Sequence, residues 1–403
     1  MSMVLYRQTG SMTQWTKQMR IVSFDILAVD LPFRRAFGHS AGSRRASDSV
    51  FLKCNIDDGT AGFGECLPRV YVTGESRDSA YGLLCDCVLP RLVGMRFESW
   101  ADVGAFLDRC DGKAPGDWVA PEVPQTAAWC AVDLALLDAF GRAFGRSVFP
   151  PGVKDRMAGL RYSGVLTYES RIRLAKSCLL FRLYGLRQVK VKVGRRDDLA
   201  ALKTARRVLG PQADLRVDAN MAWDLEQAGP TMREMSRLGV RCFEQPLAAD
   251  ALEEMARLVR ETGLMVMADE SFHDRDSLVR LVARKACTAI NVRVSKCGGL
   301  VASLRRCREA AETGLTLQVG CQVGESSLLS AAQLALLSQV PGVAYAEGCF
   351  GRHILKEDVA EPVLQFGYAG RPPRTPAGAG LGVCIREDRL RRWTIRRKRI
   401  GGR

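Results

Sequence analysis

One interval runs through most of this chain. Short apolar or β-branched runs recur at residues 164–167, 188–193, 214–218, 241–244, 265–268, 289–294, 315–319 and 343–346. Marking one residue at or just after the end of each run gives Leu166, Lys192, Asp218, Glu244, Asp269, Lys296, Cys321 and Glu347, with steps of 26, 26, 26, 25, 27, 25 and 26 residues. Stretches of helical character lie between the runs, for example at 199–209, 225–238, 252–262 and 303–313. Eight strand–helix units of nearly constant length are what a closed (β/α)8 barrel requires. Continuous apolar runs suit parallel strands buried on both faces. An open doubly wound sheet is the alternative, and a superhelical array is disfavoured because the residues themselves do not repeat.

The first third of the chain follows a different pattern. Residues 20–30 and 49–57 read as strands, the second ending at the turn Asp57-Asp58-Gly59, while 79–92, 100–108 and 126–144 read as helices. The fold class predicted is therefore α/β: a (β/α)8-type barrel with an N-terminal α+β capping domain completed by the C-terminal segment. The expected divisions are a loose extension at 1–19, the capping domain at 20–150, the catalytic barrel at 151–366, and a C-terminal segment at 367–403. That last segment is Gly/Pro-rich at 367–382, is expected to return to the cap through a short strand at 381–386, and ends in a basic tail.

Composition narrows the function classes. No apolar stretch approaches the roughly 18–20 residues needed to cross a bilayer. The first twenty residues lack the continuous apolar core of a secretion signal, so a cytoplasmic location is expected. The chain has 14 cysteines but no C-x-x-C pair, and the nearest couple, Cys85 and Cys87, has no partnering histidines. Small buried hydrophobes in a reducing compartment are expected rather than disulfides or a zinc site. The formal net charge is +15, with a dense cluster formed by Arg391, Arg392, Arg396, Arg397, Lys398, Arg399 and Arg403. No aromatic-interleaved basic motif accompanies it, so a solvated, frayed terminus is preferred to a nucleic-acid contact.

The chemistry lies in the marked positions, because residues at the C-terminal ends of barrel strands share one mouth. Three successive ends carry the carboxylates Asp218, Glu244 and Asp269. Any one alone would serve as a helix cap. Three in phase would repel unless a cation neutralised them, and an all-oxygen set favours Mg²⁺ over zinc. Lys190 and Lys192 alternate onto the same side of the preceding strand, and burying two ammonium groups together should lower the pKa of at least one, suiting it as a general base. Lys296 lies four strands from Lys192, across the mouth. A base on each face of a bound carbon would remove a proton from one side and return it on the other. The three histidines, His39, His273 and His353, stand at neither the sixth nor the seventh strand end, so a histidine base is not available there. Cys321 lacks an evident base beside it and is not read as a nucleophile.

The motifs Val189-Lys190-Val191-Lys192, Val217-Asp218-Ala219-Asn220, Phe243-Glu244-Gln245-Pro246, Ala268-Asp269-Glu270-Ser271, and Lys296 ahead of Gly298-Gly299 resemble those of the enolase superfamily, specifically its muconate-lactonizing-enzyme subgroup. The resemblance spans roughly residues 20–390. It implies a cap over the barrel, Mg²⁺ held by Asp218, Glu244 and Asp269, Lys192 and Lys296 as the acid/base pair, Lys190 beside Lys192, depressing its pKa and touching the substrate carboxylate, and Asn220 orienting Asp218 or a metal-bound water. It also implies a small-molecule carboxylate substrate and a homo-oligomer. The subgroup contains cycloisomerases, o-succinylbenzoate synthases, N-acylamino-acid racemases and dipeptide epimerases. Dipeptide epimerases typically carry Asp-x-Asp at the eighth strand end to grip the substrate ammonium; here the stretch is Glu347-Gly348-Cys349, with one carboxylate. The expected specificity loops are 33–45, made basic by Arg34, Arg35, Arg44 and Arg45 and so suited to an anionic distal group, and 68–75. Cys321 and Glu325 are further candidates for substrate contact. The leading expectation is racemisation or epimerisation of an amino-acid derivative, with a cycloisomerase or o-succinylbenzoate-synthase-like lyase as runner-up. A non-catalytic nucleic-acid binder is the remote alternative.

Overall fold

The computed structural model describes residues 18–39, 42–152, 157–167, 170–195 and 197–402. Residues 1–17 of the expected extension, and 40–41 of the first expected specificity loop, lie outside the described residues. Among the described residues no helix is long and apolar enough to cross a membrane.

The cap is built on strands β1 (Met19–Val29), β2 (Pro32–His39), β3 (Gly42–Ala46), β4 (Ser49–Ile56), β5 (Ala61–Cys66) and β6 (Arg96–Phe97). β1, β4 and β5 pair antiparallel, and β2 with β3 forms a separate hairpin toward the barrel. The helix Thr126–Ala143 is buried from Thr126 to Gly141, as its nearly uninterrupted apolar sequence requires. It approaches β5 at backbone distance: a Cβ on Gly64 would stand 1.9 Å from the Ala131 carbonyl oxygen, so only glycine admits the helix there. No side chain from its own N-cap position closes this helix. Glu75, in the 68–75 loop, accepts from the Ala127 and Ala128 N–H groups at 2.8 Å each. One carboxylate thus ties that loop to the cap's central helix.

The barrel strands are β7 (Gly164–Leu166), β8 (Gln188–Lys192), β9 (Asp214–Asp218), β10 (Val240–Glu244), β11 (Met265–Ala268), β12 (Ala289–Arg293), β13 (Thr316–Gly320) and β14 (Val343–Ala346). They form one parallel sheet in sequence order. Its two ends approach through a parallel bridge between Tyr162 and Ala346, with the Ser163 N–H donating to the Ala346 carbonyl at 2.8 Å. The eight-stranded parallel architecture read from the spacing is therefore present, with each strand within a residue or two of its expected limits. The helices at Asp198–Leu209, Leu225–Arg237, Leu252–Thr262 and Leu300–Glu312 fall close to the expected stretches.

The C-terminal segment differs from expectation in detail. The strand expected at 381–386 shrinks to β16 (Cys384–Ile385), which pairs with β15 (Ala360–Glu361) and not with the cap. The segment that returns is β17 (Thr394–Gly401), antiparallel to β1 from Ser23↔Gly401 to Val29↔Thr394. From Arg396 to Arg399 the tail is thus a paired edge strand rather than a frayed end, Arg391 and Arg392 lie in the helix before it, and Arg403 lies outside the described residues. A charge run constrains side chains, which stay at the surface, and leaves the backbone free to pair. Arg397 meets Asp25 at 2.8 Å, and the Arg396 guanidinium lies 3.6 Å from the Tyr81 ring centroid. Side chains of a strand that closes a sheet edge with Arg and Lys also discourage further pairing.

Candidate active site

Strand register brings the marked residues into line. Lys192 stands opposite Asp218 across β8 and β9, and Asp218 opposite Glu244 across β9 and β10. Asp269 follows β11 directly, and Lys296 lies three residues past β12. The contacts then run as an arc across the mouth. The Lys192 ammonium donates to Asp218 Oδ2 at 2.7 Å. Lys190 reaches Glu244 Oε2 at 2.9 Å, Glu347 Oε2 at 2.6 Å and Asp218 Oδ2 at 3.4 Å. Lys296 donates to Asp269 Oδ1 at 2.8 Å and to the carbonyls of Asp269 and Asn291 at 2.7 and 2.8 Å. The two lysines nominated as bases therefore occupy opposite ends of a line of three carboxylates.

Asn220 contributes differently from expectation. Its side-chain oxygen accepts from Lys192 at 2.7 Å, while its amide nitrogen donates to Glu270 Oε1 at 3.0 Å. It orients the lysine, and only its backbone N–H touches Asp218, at 3.1 Å. Its φ of 45° is left-handed, a conformation asparagine tolerates better than other branched or bulky residues.

Burial decides the electrostatics. Asp218, Glu244, Asp269 and Lys296 are all at most 1% exposed, and Lys190 is 3% exposed. Burial opposes the charge on Asp218, but Lys192 and Lys190 hold its carboxyl well below the usual range. Asp269 is likewise held down against burial by Arg293 and Lys296. Glu244 is pushed up by burial, and the charges of Asp218, Asp269 and Glu347 add to this against Lys190. The lowering expected for at least one lysine of the pair does not fall on Lys190. Burial does oppose its charge, but Glu244, Glu347 and Asp218 surround it and hold the ammonium well above the ordinary range.

Four residues of the network were not singled out from the sequence. Arg293, on β12, contacts Asp269 Oδ2, lies 3.6 Å from Glu244 Oε1, and donates to Gln322 Oε1 at 2.9 Å. Arg216, on β9, contacts Gln318, donates to Ser163 Oγ at 2.7 Å, meets Glu347 Oε1 at 3.1 Å and stacks 3.9 Å from the Tyr345 ring. Glu270, beside Asp269, is raised to about 8 by burial and by the charges of Asp269 and Asp218. Asn291 donates to Glu244 Oε1 at 2.8 Å. Arg216 and Arg293 were legible in principle: each lies an even number of residues from an inward-facing strand residue, Asp218 or Asn291, and so shares its face.

Beside this arc opens a cavity of about 420 Å³. Lys190, Lys192, Asn220, Glu270, Arg293 and Glu347 form its polar floor, and Tyr71 reaches it from the 68–75 cap loop. Cys321 lines it too, but burial raises its thiol far above the usual range. Glu325 does not line this cavity; it accepts from the Gln322 N–H at 2.6 Å. Arg34, Arg35, Arg44 and Arg45 are also absent from the lining. Arg34 donates to the Leu355 carbonyl at 3.2 Å and Arg44 pairs with Asp48.

The sequence matches two family models that together span most of the chain. Residues 173–389 match the family described as enolase C-terminal domain-like, and residues 22–150 match the mandelate racemase / muconate lactonizing enzyme N-terminal domain. This chain belongs to the enolase superfamily, in its mandelate racemase/muconate lactonizing enzyme group. Among its relatives is the N-succinyl-L-Arg/Lys racemase of Bacillus cereus, 28% identical over 386 residues covering 94% of this chain and 98% of the relative. An N-succinyl Arg/Lys racemase structure from that species superposes with a TM-score of 0.82 over 94% of this chain and 100% of its own. The L-Ala-D/L-Glu epimerase of Clostridium acetobutylicum is 26% identical, covering 77% of this chain and 85% of the relative. A dipeptide epimerase from Cytophaga hutchinsonii, solved with Mg and the dipeptide D-Ala-L-Val, is 21% identical with a TM-score of 0.81, covering 94% of this chain and 100% of that one.

Enolase-superfamily members use a divalent metal. In this member the donor chemistry fits one: three buried carboxylates on neighbouring strands, no thiolate or imidazole among them. Glu270 Oε2 is in addition buried without a hydrogen-bond partner beside them. The side chains are at present engaged elsewhere. Arg293 connects Asp269 with Glu244, and among the described residues no three acidic, histidine or cysteine groups already converge into a metal cage.

Proposed function

We propose that this enzyme removes the proton α to a substrate carboxylate, with Mg²⁺ as cofactor, and that it racemises or epimerises an amino-acid derivative such as an N-acyl amino acid or a dipeptide. The observation that carries this reading is the placement of Lys192 and Lys296 at the two ends of the Asp218–Glu244–Asp269 arc, four strands apart. Asp218, Glu244 and Asp269 would hold the ion. When bound, Mg²⁺ supplies a Lewis acid that stabilises negative charge building on the substrate carboxylate. Lys190, whose charge is secured by Glu244 and Glu347, presents a fixed cation to the same carboxylate. Lys192, steadied by Asp218 and Asn220, takes or returns the proton at one face. Lys296 does so at the other. The names of the relatives, racemases and epimerases among them, agree with this chemistry.

A cycloisomerase or lyase is the second reading, and one observation favours it. Lys192 lines the cavity, whereas Lys296 is fully buried against Asp269 and the Asn291 carbonyl and is absent from the lining. That position suits a fixed cation as well as a base. The test is α-proton exchange in deuterated water with added Mg²⁺, on Lys192→Ala and Lys296→Ala. For an epimerase each variant should lose inversion, yet retain exchange with one enantiomer only, opposite for the two. Exchange surviving in Lys296→Ala with the full set of substrates the parent exchanges would instead favour one-base chemistry. A parent enzyme without Mg²⁺-dependent exchange on any N-acyl amino acid, dipeptide or cycloisomerase substrate would overturn the proposal.

A further inference from the structure

Lys192, Asn220 and Glu270 all line the cavity and are joined side chain to side chain. They come from the ends of β8, β9 and β11. Asn220 Oδ1 accepts from the Lys192 ammonium at 2.7 Å, and Asn220 Nδ2 donates to Glu270 Oε1 at 3.0 Å. The Asn220 backbone is pinned by its own N–H on Asp218 Oδ1 at 3.1 Å. Glu270 is 1% exposed, and among the described residues that single contact with Asn220 is the only hydrogen bond its carboxyl makes; Oε2 is buried with none. A buried carboxyl held by one bond is less stable than an apolar side chain of similar size, so packing does not account for its presence.

The chemistry of the amide does. A side-chain amide has an accepting end and a donating end. Facing an ammonium, which only donates, Asn220 must present its oxygen. Once Lys192 is a neutral amine it carries a lone pair and accepts as well as donates, so it no longer selects which end of the amide it meets. A turned amide would give its N–H to that lone pair, the same pair that must take the substrate proton. Glu270 Oε1 offers only an acceptor, and the carboxyl keeps an accepting oxygen whether ionised or protonated. It therefore holds Nδ2 on its own side whatever the state of the lysine.

We propose that Glu270 is a positioning residue: by accepting from Asn220 Nδ2 it keeps the amide oxygen toward Lys192 and leaves the amine lone pair free. In the proton transfer that follows, the lone pair of Lys192 Nζ forms the new N–H bond, the α-carbon–hydrogen bond breaks, and its electrons stay on the substrate as the enolate. The inference rests on the proposed role of Lys192 as a base, but the availability of the amine can be read without any substrate.

The experiment uses the full chain with added Mg²⁺, as parent, Glu270→Met and Glu270→Gln. Methionine removes the acceptor, whereas glutamine removes the charge and keeps a carbonyl for Asn220. The first readout is trace acetylation by acetic anhydride, followed by mass spectrometry. The Lys192 side chain is 20% exposed against 3% for Lys190 and 0% for Lys296, so Lys192 is the site lysine that labels. Its labelling should fall about 10-fold in Glu270→Met, the scale of one hydrogen bond on the amine, and stay within about threefold of the parent in Glu270→Gln. The second readout is α-proton exchange in deuterated water with N-succinyl-L-lysine and N-succinyl-D-lysine. Glu270→Met should slow, by about 10-fold, exchange with the same enantiomer that Lys192→Ala loses, and leave the other unchanged. Unchanged or increased labelling in Glu270→Met overturns the inference, as does a Glu270→Gln variant as deficient as Glu270→Met, or equal slowing with both enantiomers. In EDTA, Glu270→Met should melt at or above the parent, since a poorly bonded buried carboxyl is gone; a variant that does not fold would make Glu270 a structural support and overturn the inference too. Lost labelling with a parent that exchanges neither enantiomer would count against the proposed reaction on these substrates and leave the positioning role standing. Exchange in the parent that Glu270→Met leaves intact would do the reverse.

Discussion

Arg293→Met should make the site bind Mg²⁺ more tightly in the absence of substrate. The guanidinium touches Asp269 Oδ2 and lies 3.6 Å from Glu244 Oε1, two of the three carboxylates proposed to hold the ion. Any divalent ion entering must displace these contacts. At an effective dielectric constant near 20, unit charges at such a distance attract by roughly 4–5 kcal/mol before solvation is counted. Net of desolvation, a hydrogen bond to a charged partner contributes on the order of 1.5–3 kcal/mol. Taking about 2 kcal/mol as the share returned to the ion gives a Kd roughly 30-fold lower in the variant. The same change should destabilise the metal-free protein by about 3 kcal/mol, because buried carboxylates lose a partner, although Lys296 still holds Asp269. Titration calorimetry with Mg²⁺ measures the first effect, and thermal melts with EDTA and with excess Mg²⁺ measure the second. The melt deficit should shrink as Mg²⁺ is added. An unchanged or weakened Mg²⁺ affinity would refute the idea that Arg293 and the ion compete for the same oxygens.

Other expectations follow from the same contacts. Asp133, in the cap helix, accepts from the Leu300 N–H at 2.7 Å and the Val301 N–H at 3.4 Å, capping the barrel helix Leu300–Glu312 whose own N-cap residue is Gly299. Asp133→Ala should therefore cost about 2–3 kcal/mol in urea melts, and a loss under 0.5 kcal/mol would show that water replaces the cap. Gly64→Ala should be more damaging, by more than about 3 kcal/mol or by loss of soluble protein, since its Cβ would meet the Ala131 carbonyl at 1.9 Å. His273 is held down to about 4 by burial, then by the charge of Lys296. With the folded pKa below the unfolded value, its contribution is complete above about pH 6.5 and is lost as pH falls toward 4. Discounted for partial exposure, His273→Gln should gain about 1–2 kcal/mol on the parent between pH 7 and 4.5, and a pH-independent difference would refute it. Cys321→Ser should keep kcat/KM within about threefold, because burial pushes the thiol far up; loss beyond 100-fold would assign the sulfur a direct role.

The sequence by itself determined the frame and the acid–base inventory. Buried parallel strands must be apolar along their length, and helices long enough to cover them set a near-constant spacing, so the eight strands could be placed to within a residue or two. The same spacing puts Lys192, Asp218, Glu244, Asp269, Lys296 and Glu347 at or just past strand ends. Contacts between strands far apart in sequence were another matter. That Glu347 would be consumed by Arg216 and Lys190, residues 131 and 157 positions away in the chain, depends on which inward-facing side chains meet when the sheet curls. Lys190 shows the physical reason most plainly. Two lysines on one strand face suggest a lowered pKa for at least one of them, yet three carboxylates arriving from other strands raise that of Lys190. The tail is the parallel case for backbone: its charge described the side chains, and only the open edge of β1 decided that it would be a strand. Local pattern reports periodicity and chemistry, whereas the balance of buried charges is a property of the folded assembly of strands.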